Sequence, residues 1–277
     1  MIRDILVKLE SDKPHDPALD YAVTIAEAFD AHLACIAFGD LANMPTFMMP
    51  NLPADALAEI QASSEKSARA AVERFEMAAK RSLVSTEHHL VTQGGISPGE
   101  AFATMARRFD LSVLQQSEVD GVNNDLLIEA ALFSSGRPVM IVPYIQKAGL
   151  QLSRVLCCWD GSAPSARAID DALPFLEKAE TVEILAVVNE KAKYPKREIH
   201  SAEIARHLER HGVKVEVEII PASDIDVADS ILSHAADCSA DMIVMGGYGH
   251  SRLREFVLGG ATRGILFTMT VPVFMSH

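Results

Sequence analysis

Apolar residues in this chain fall into short continuous runs. Ile5-Leu6-Val7, Ala34-Cys35-Ile36-Ala37, Val155-Leu156-Cys157, Ile184-Leu185-Ala186-Val187 and Met242-Ile243-Val244-Met245 are examples. Helix-length stretches separate them. Apolar runs of strand length bounded by helices predict strands buried on both faces, the pattern of a parallel sheet covered on either side. In the second half the pattern predicts strand 154–159, helix 163–178, strand 182–188, helix 197–211 and strand 213–220. Helix 225–237, strand 241–245, a glycine loop, helix 260–268 and strand 271–275 follow. The first half runs a similar course, with a longer excursion between Gly39 and Asp55. The expected fold class is α/β, with two similar doubly wound domains.

The two halves repeat. Residue n laid over residue n+150 puts Ile5-Leu6-Val7 on Val155-Leu156-Cys157, Glu10 on Asp160, and Ala18–Ala22 on Ala168–Ala172. Near the ends the offset is smaller. Asp110-Leu111-Ser112-Val113-Leu114 resembles Ala240-Asp241-Met242-Ile243-Val244, and Arg137-Pro138-Val139-Met140 resembles Thr270-Val271-Pro272-Val273-Phe274 with a one-residue shift. A duplication explains this, with domains expected at 1–147 and 148–277.

Composition narrows the function. The chain has 277 residues, 49% apolar and 23% charged, as a globular protein does. Its formal net charge of −13 argues against broad electrostatic binding to nucleic acid or anionic membrane. No apolar run approaches the ~20 residues of a membrane helix. Cys35, Cys157, Cys158 and Cys238 follow neither a zinc nor a disulfide spacing, which suggests reduced thiols in a cytoplasmic protein.

Candidate chemistry concentrates in the second half. The strand Met242–Met245 leads into Gly246-Gly247-Tyr248-Gly249-His250, and a helix starts near Gly259-Gly260-Ala261-Thr262. Glycines let backbone N–H groups approach an anion, and a helix start adds unpaired donors. The first strand of this half ends at Asp160-Gly161-Ser162. A doubly wound sheet can set these two strand ends side by side. Asp160 would then meet a ribose hydroxyl or an adenine amino group. The plainer role for Asp160 is a turn or helix cap. Val188, ending the second strand, offers backbone groups to an adenine edge. Thr262 either donates to phosphate or caps its helix, and Arg252, Arg254 and His250 either bind phosphate or face solvent. No phosphate-loop lysine motif, no dinucleotide G-x-G-x-x-G after the first strand and no nucleophile elbow is present.

These residues resemble the universal stress protein family in tandem form. The family's motif is G-x-x-G, nine residues, then G-[ST]. Gly246-x-x-Gly249, nine residues and Gly259 follow it, but Gly260 replaces the Ser or Thr, leaving Thr262 as a substitute. Asp160 matches the family's acidic residue, and Val188 lies near its adenine-contacting position. The resemblance implies a five-stranded parallel sheet with helices on both faces in each domain. It implies ATP binding in one subclass, with magnesium a further candidate, and domains paired through their final strands. The implied site is Asp160, Gly161, Val188, Gly246, Gly247, Gly249, His250, Gly259, Gly260 and Thr262.

The first half departs from the motif. Gln115–Asp125 lacks the glycine pattern, Glu118, Asp120 and Asp125 add negative charge, and Glu10 replaces the aspartate. Like charge and lost backbone access oppose a triphosphate there. The expected function is a stress-response protein with a nucleotide-dependent partner surface, without fast hydrolysis because no general base is organised. Slow ATP hydrolysis is one alternative. Another is a nucleotide-independent interaction module using the Met-rich segment 44–49, in an excursion whose prolines at 45, 50 and 53 rule out a regular helix. His207 and His211, four apart on a predicted helix, are set aside as a metal pair on a solvated face, and no metal site is expected.

Overall fold

The computed structural model of the chain describes residues 1–11, 13–39, 53–92, 96–119, 121–188, 201–221, 226–247 and 260–277. Gly249, His250, Arg252, Arg254, Gly259 and segment 44–49, singled out in the sequence, lie outside the described residues, as does Asp120.

The first half forms β1 (Asp4–Lys8), α1 (Pro17–Phe29), β2 (His32–Phe38), α2 (Ala54–Ser82), β3 (Thr86–Val91), α3 (Pro98–Ala106), β4 (Leu111–Gln115), α4 (Asp125–Ser134) and β5 (Val139–Val142). The second forms β6 (Arg154–Cys158), α5 (Ala163–Leu176), β7 (Thr181–Val188), α6 (Ser201–Arg210), β8 (Val215–Pro221), α7 (Val227–Asp237), β9 (Met242–Gly246), α8 (Gly260–Thr268) and β10 (Val273–Ser276). The chain is therefore α/β and doubly wound, with strands and helices alternating within each half.

Contacts divide the chain into two compact units. One holds residues 2–115 and 124–137, the other residues 116–123 and 138–277. Strands of the first unit run β3-β2-β1-β4, all parallel. Those of the second run β5-β10-β9-β6-β7-β8. Within it only β5 is reversed: it pairs antiparallel with β10, Val139 opposite Met275 and Ile141 opposite Val273. The final strands of the two halves thus pair, as the resemblance implies.

The repeat is written in the register. Ile5 lies beside Leu33 and Leu111, and Val155 beside Val182 and Met242. Asp110 Oδ2 accepts from the backbone N–H of Arg3 and Asp4 at 2.8 and 3.1 Å; Asp241 Oδ2 accepts from Ser153 and Arg154 at 2.7 and 3.0 Å. The correct internal alignment therefore sets Asp110 on Asp241, one residue from the match by apolar pattern alone. Sliding one apolar run along another costs no pattern score, whereas the carboxylate caps a defined pair of donors.

Central strands are buried throughout because helices cover both faces. Ile5, Leu6, Val7, Val155, Leu156, Cys157, Ile243 and Val244 have no exposed surface. At ~25 cal/mol per Å², such side chains supply most of the drive to fold. Phe175 of α5 meets Phe274 of β10 edge-on, ring centroids 5.7 Å apart.

Candidate functional site

In the second unit the chain moves outward from β6 through β7 to β8, then returns to the other side of β6 as β9. The order reverses between β6 and β9, and there the carboxyl ends of parallel strands open a crevice. The sequence-predicted residues gather on this edge. Asp160 and Gly161 follow β6, Val188 ends β7, and Gly246 ends β9 beside β6. Gly260 opens α8, with Thr262 in its first turn.

Local sequence explains the geometry. Ser162, rather than Asp160, caps α5: its hydroxyl accepts from Ser165 N at 3.2 Å. Asp160 is exposed, and its Oδ1 accepts from Ser162 N at 2.9 Å, an Asx turn that aims the chain into the helix. Gly161 has φ +73, the left-handed region that favours glycine. Gly246 lies hard against the start of α5. A Cβ there would stand 2.5 Å from Ser165 N and 2.6 Å from the carbonyl carbon of Pro164. This glycine is needed first for strand–helix packing. Gly247 N donates to Ser276 O at 2.7 Å, and His277 Nδ1 lies 2.7 Å from Gly247 O, so β10 steadies the loop's first residues. Gly260 is exposed and Thr262 is 4% exposed, so the helix start offers backbone N–H more openly than the threonine hydroxyl. Trp159 Nε1 and Ser276 Oγ, both buried at this edge, meet no partner among the described residues.

Burial disfavours the thiolate form of the cysteines below the edge. Burial pushes Cys157 well above the ordinary thiol value. Burial, reinforced by the Asp160 carboxylate, pushes Cys158 up to about 12. Cys35 and Cys238 are free as well.

The equivalent crevice of the first unit, between β1 and β4, is filled by its own side chains. Lys8 Nζ binds Glu10 Oε2 at 2.5 Å and Asn124 Oδ1 at 3.2 Å. Asn124 Nδ2 donates to Glu10 Oε1 at 2.7 Å and to the carbonyl of Gln115, last residue of β4, at 3.0 Å. Arg74 of α2 donates to Glu10 O at 2.9 Å, and Asp16 accepts from the N–H groups of Glu10 and Leu19 at 2.8 and 3.0 Å. Glu10 and Asn124 are each 2% exposed. Sequence reasoning noticed Glu10 but missed Lys8 and Asn124. A lysine ending an apolar strand two residues before a glutamate was the available signal.

His207 and His211 face each other, ring centroids 4.8 Å apart. A different group, Glu183, His234 and Cys238, brings three possible metal donors together. It is scattered across a strand and a helix, and only Glu183, alone in an apolar run, marked it in the sequence.

With the geometry in place, comparison with known proteins gives a consistent assignment. Residues 152–277 match the model of the universal stress protein family. A universal stress protein of Synechocystis sp. is 25% identical over 146 residues, 53% of this chain and 49% of that protein, so the chain spans about half the length of that curated relative. The structure of a universal stress protein from Archaeoglobus fulgidus DSM 4304 superposes with a TM-score of 0.71 at 16% identity, covering 98% of this chain and 97% of that one. A protein of unknown function from Pseudomonas aeruginosa PAO1 gives 0.64 at 15% identity, covering 99% and 92%. These two structures share the fold across the whole chain. The class is thus a doubly wound α/β protein with a crevice at its strand ends. Residues 152–277 are similar to the universal stress protein family.

Proposed function

We propose that the second half, residues 148–277, binds ATP or another adenine nucleotide at the crevice between β6 and β9. The observation that carries the reading is the convergence of Asp160, Gly161, Val188 and Gly246 on the carboxyl edge of the sheet around the β6–β9 switch point. Asp160 takes the ribose hydroxyls or the adenine amino group, and the Val188 backbone takes the adenine edge. Gly246, Gly247, Gly249, His250, Gly259, Gly260 and Thr262 surround the phosphates, with magnesium neutralising them where bound. Trp159 Nε1 and Ser276 Oγ lie at the same edge without protein partners among the described residues, as polar atoms beside a ligand site do.

The first half, residues 1–147, acts as a structural partner. Its matching crevice holds the Lys8–Glu10–Asn124 network instead of a ligand. Nucleotide-dependent change at loop 246–260 alters a surface read by a protein partner. The setting is cytoplasmic: the four cysteines are free, and no helix of the described residues is long and apolar enough to cross a membrane.

The test is to denature freshly purified protein and identify released nucleotide by mass spectrometry, with Asp160→Ala and Gly249→Val alongside. Gly246 is left alone because a side chain there strikes α5. One adenine nucleotide per chain, lost from both variants, is the expected result. A wild type that is empty and binds neither ATP nor ATP with magnesium overturns the proposal.

A further inference from the structure

Toward the end of the sheet away from the glycine loop, β7 carries a carboxylate among apolar neighbours. Glu183 sits between Val182 and Ile184, is 5% exposed, and lies in register between Leu156 and Glu216. A buried carboxylate is costly unless it is partnered. Its Oε2 accepts from Arg154 Nη1 at 2.7 Å, and the same nitrogen reaches Glu216 Oε2 at 2.9 Å. Its Oε1 meets His234 Nε2 of α7 in a short contact. One turn further, Cys238 is the C-cap of α7, and its Sγ makes a long contact with Ala235 O at 3.7 Å. Donor atoms of Glu183, His234 and Cys238 all lie within 4.8 Å of one another. An Arg–Glu–His network accounts for the histidine but gives the thiol no role.

We propose that Glu183, His234 and Cys238 form a binding site for a divalent transition metal, zinc by its donor set. One oxygen, one nitrogen and one sulfur match the ligands zinc takes in four-coordinate sites. His234 and Cys238 are spaced i, i+4 and so share one face of α7. Both are half-buried, which leaves a fourth position for water. Carboxylate and thiolate together balance a divalent charge, while Arg154 and Glu216 balance each other. Arg154 holds Oε2 and leaves Oε1 toward the metal, the outer-shell orientation common at such sites. Zinc bonds of about 2.0–2.3 Å set tetrahedral ligand atoms roughly 3.3–3.8 Å apart, so Glu183 Oε1 and His234 Nε2 must part to admit the ion while Cys238 Sγ draws in, both within reach of side-chain rotation. Binding displaces the thiol proton and the proton between His234 and Glu183.

The ion would clamp α7 to β7, roughly 16 Å along the strand from Val188 at ~3.3 Å per residue. α7 in turn packs on α8, where a Cβ at Gly264 would stand 2.7 Å from that of Ala228. The clamp therefore steadies the helix that opens at Gly260, and it requires no nucleotide.

The experiment is titration of chelator-stripped protein with Co²⁺, followed by displacement with Zn²⁺. The expected result is a near-ultraviolet thiolate-to-cobalt charge-transfer band that saturates at one ion per chain and disappears when zinc is added. Cys238→Ser abolishes the band and weakens zinc binding by more than ~100-fold, beyond what loss of an outer-shell partner costs. Zinc raises the thermal midpoint of the wild type and leaves that of Cys238→Ser unchanged. His234→Gln weakens binding similarly; if its loss from Glu183 prevents folding, Cys238→Ser still decides, because the thiol makes one long contact. Absence of the band, or a band of equal strength in Cys238→Ser, overturns the proposal.

Discussion

Asp16 shows how much one side chain can depend on its surroundings. It caps α1 and holds the N–H of Glu10, so two donors favour its charged form. Burial outweighs them and raises its carboxyl from 3.8 to about 6. The folded state then keeps a proton that the unfolded chain releases. This contribution is greatest below pH 3.8, falls as pH rises to about 6, and is constant above that. The loss is on the order of 3 kcal/mol. Asp16→Asn carries no such titration, so the difference in urea midpoint between wild type and variant should change sign or narrow across that window; a difference flat from pH 4 to 7 rejects the assignment. Asp160 is the contrasting case. It is exposed, while Ser162 supplies the cap of α5. Asp160→Ala should therefore cost under about 1 kcal/mol of stability while removing bound nucleotide, whereas Ser162→Ala should cost about 0.5–2 kcal/mol. Thermal melts of the stripped proteins separate the two effects.

Elements were legible where burial is uniform and less so where a single side chain decides. The pattern around α8 gave 260–268, the bounds observed, and strands β6, β7 and β9 lie within a residue or two of expectation. Apolar runs carry that information because both faces of the sheet are covered. The cap at Ser162 was obscured by Asp160, since Asp-Gly-Ser offers two acceptable caps and only backbone geometry chooses between them. Lys8, Asn124 and the Glu183 group were not legible as clusters: each joins residues far apart in sequence, and no local pattern records such a meeting. The α7–α8 contact is of the same kind. Gly264 looks like a weak point in a helix, yet it is where the two helices touch. Gly264→Ala should gain about 1 kcal/mol in helix propensity and lose about 1–3 kcal/mol to the clash with Ala228, for a net loss. Ala228→Gly in the same chain should restore most of it. A double-mutant cycle by denaturation measures this, and additive single effects would show that the contact is not shared.

At the scale of the whole molecule, one duplicated fold has taken two routes at the same topological position. In the second unit the switch point lies at the end of β9, beside Gly246 and Gly247, which carry no side chains to fill it. In the first it lies beside Lys8, Glu10 and Asn124, which satisfy one another at 2.5–3.2 Å. A buried ion pair with its hydrogen bonds complete is tolerable, but removing one partner strands the other, at about 3–5 kcal/mol. Lys8→Ala should therefore lower the urea midpoint sharply, because Glu10 is left charged and buried. It should not change nucleotide stoichiometry, because the glycine loop and Asp160 lie in the other unit. Calorimetric titration with ATP and magnesium is expected to give one site per chain in wild type and in Lys8→Ala under conditions where both are folded, and none in Asp160→Ala. Two sites in wild type would mean that the first crevice opens to ligand despite its internal ion pair. Loss of binding in folded Lys8→Ala would mean that the first unit contributes directly to the site. If both hold as expected, the duplication has kept one crevice for a ligand and closed the other with a lysine, a glutamate and an asparagine.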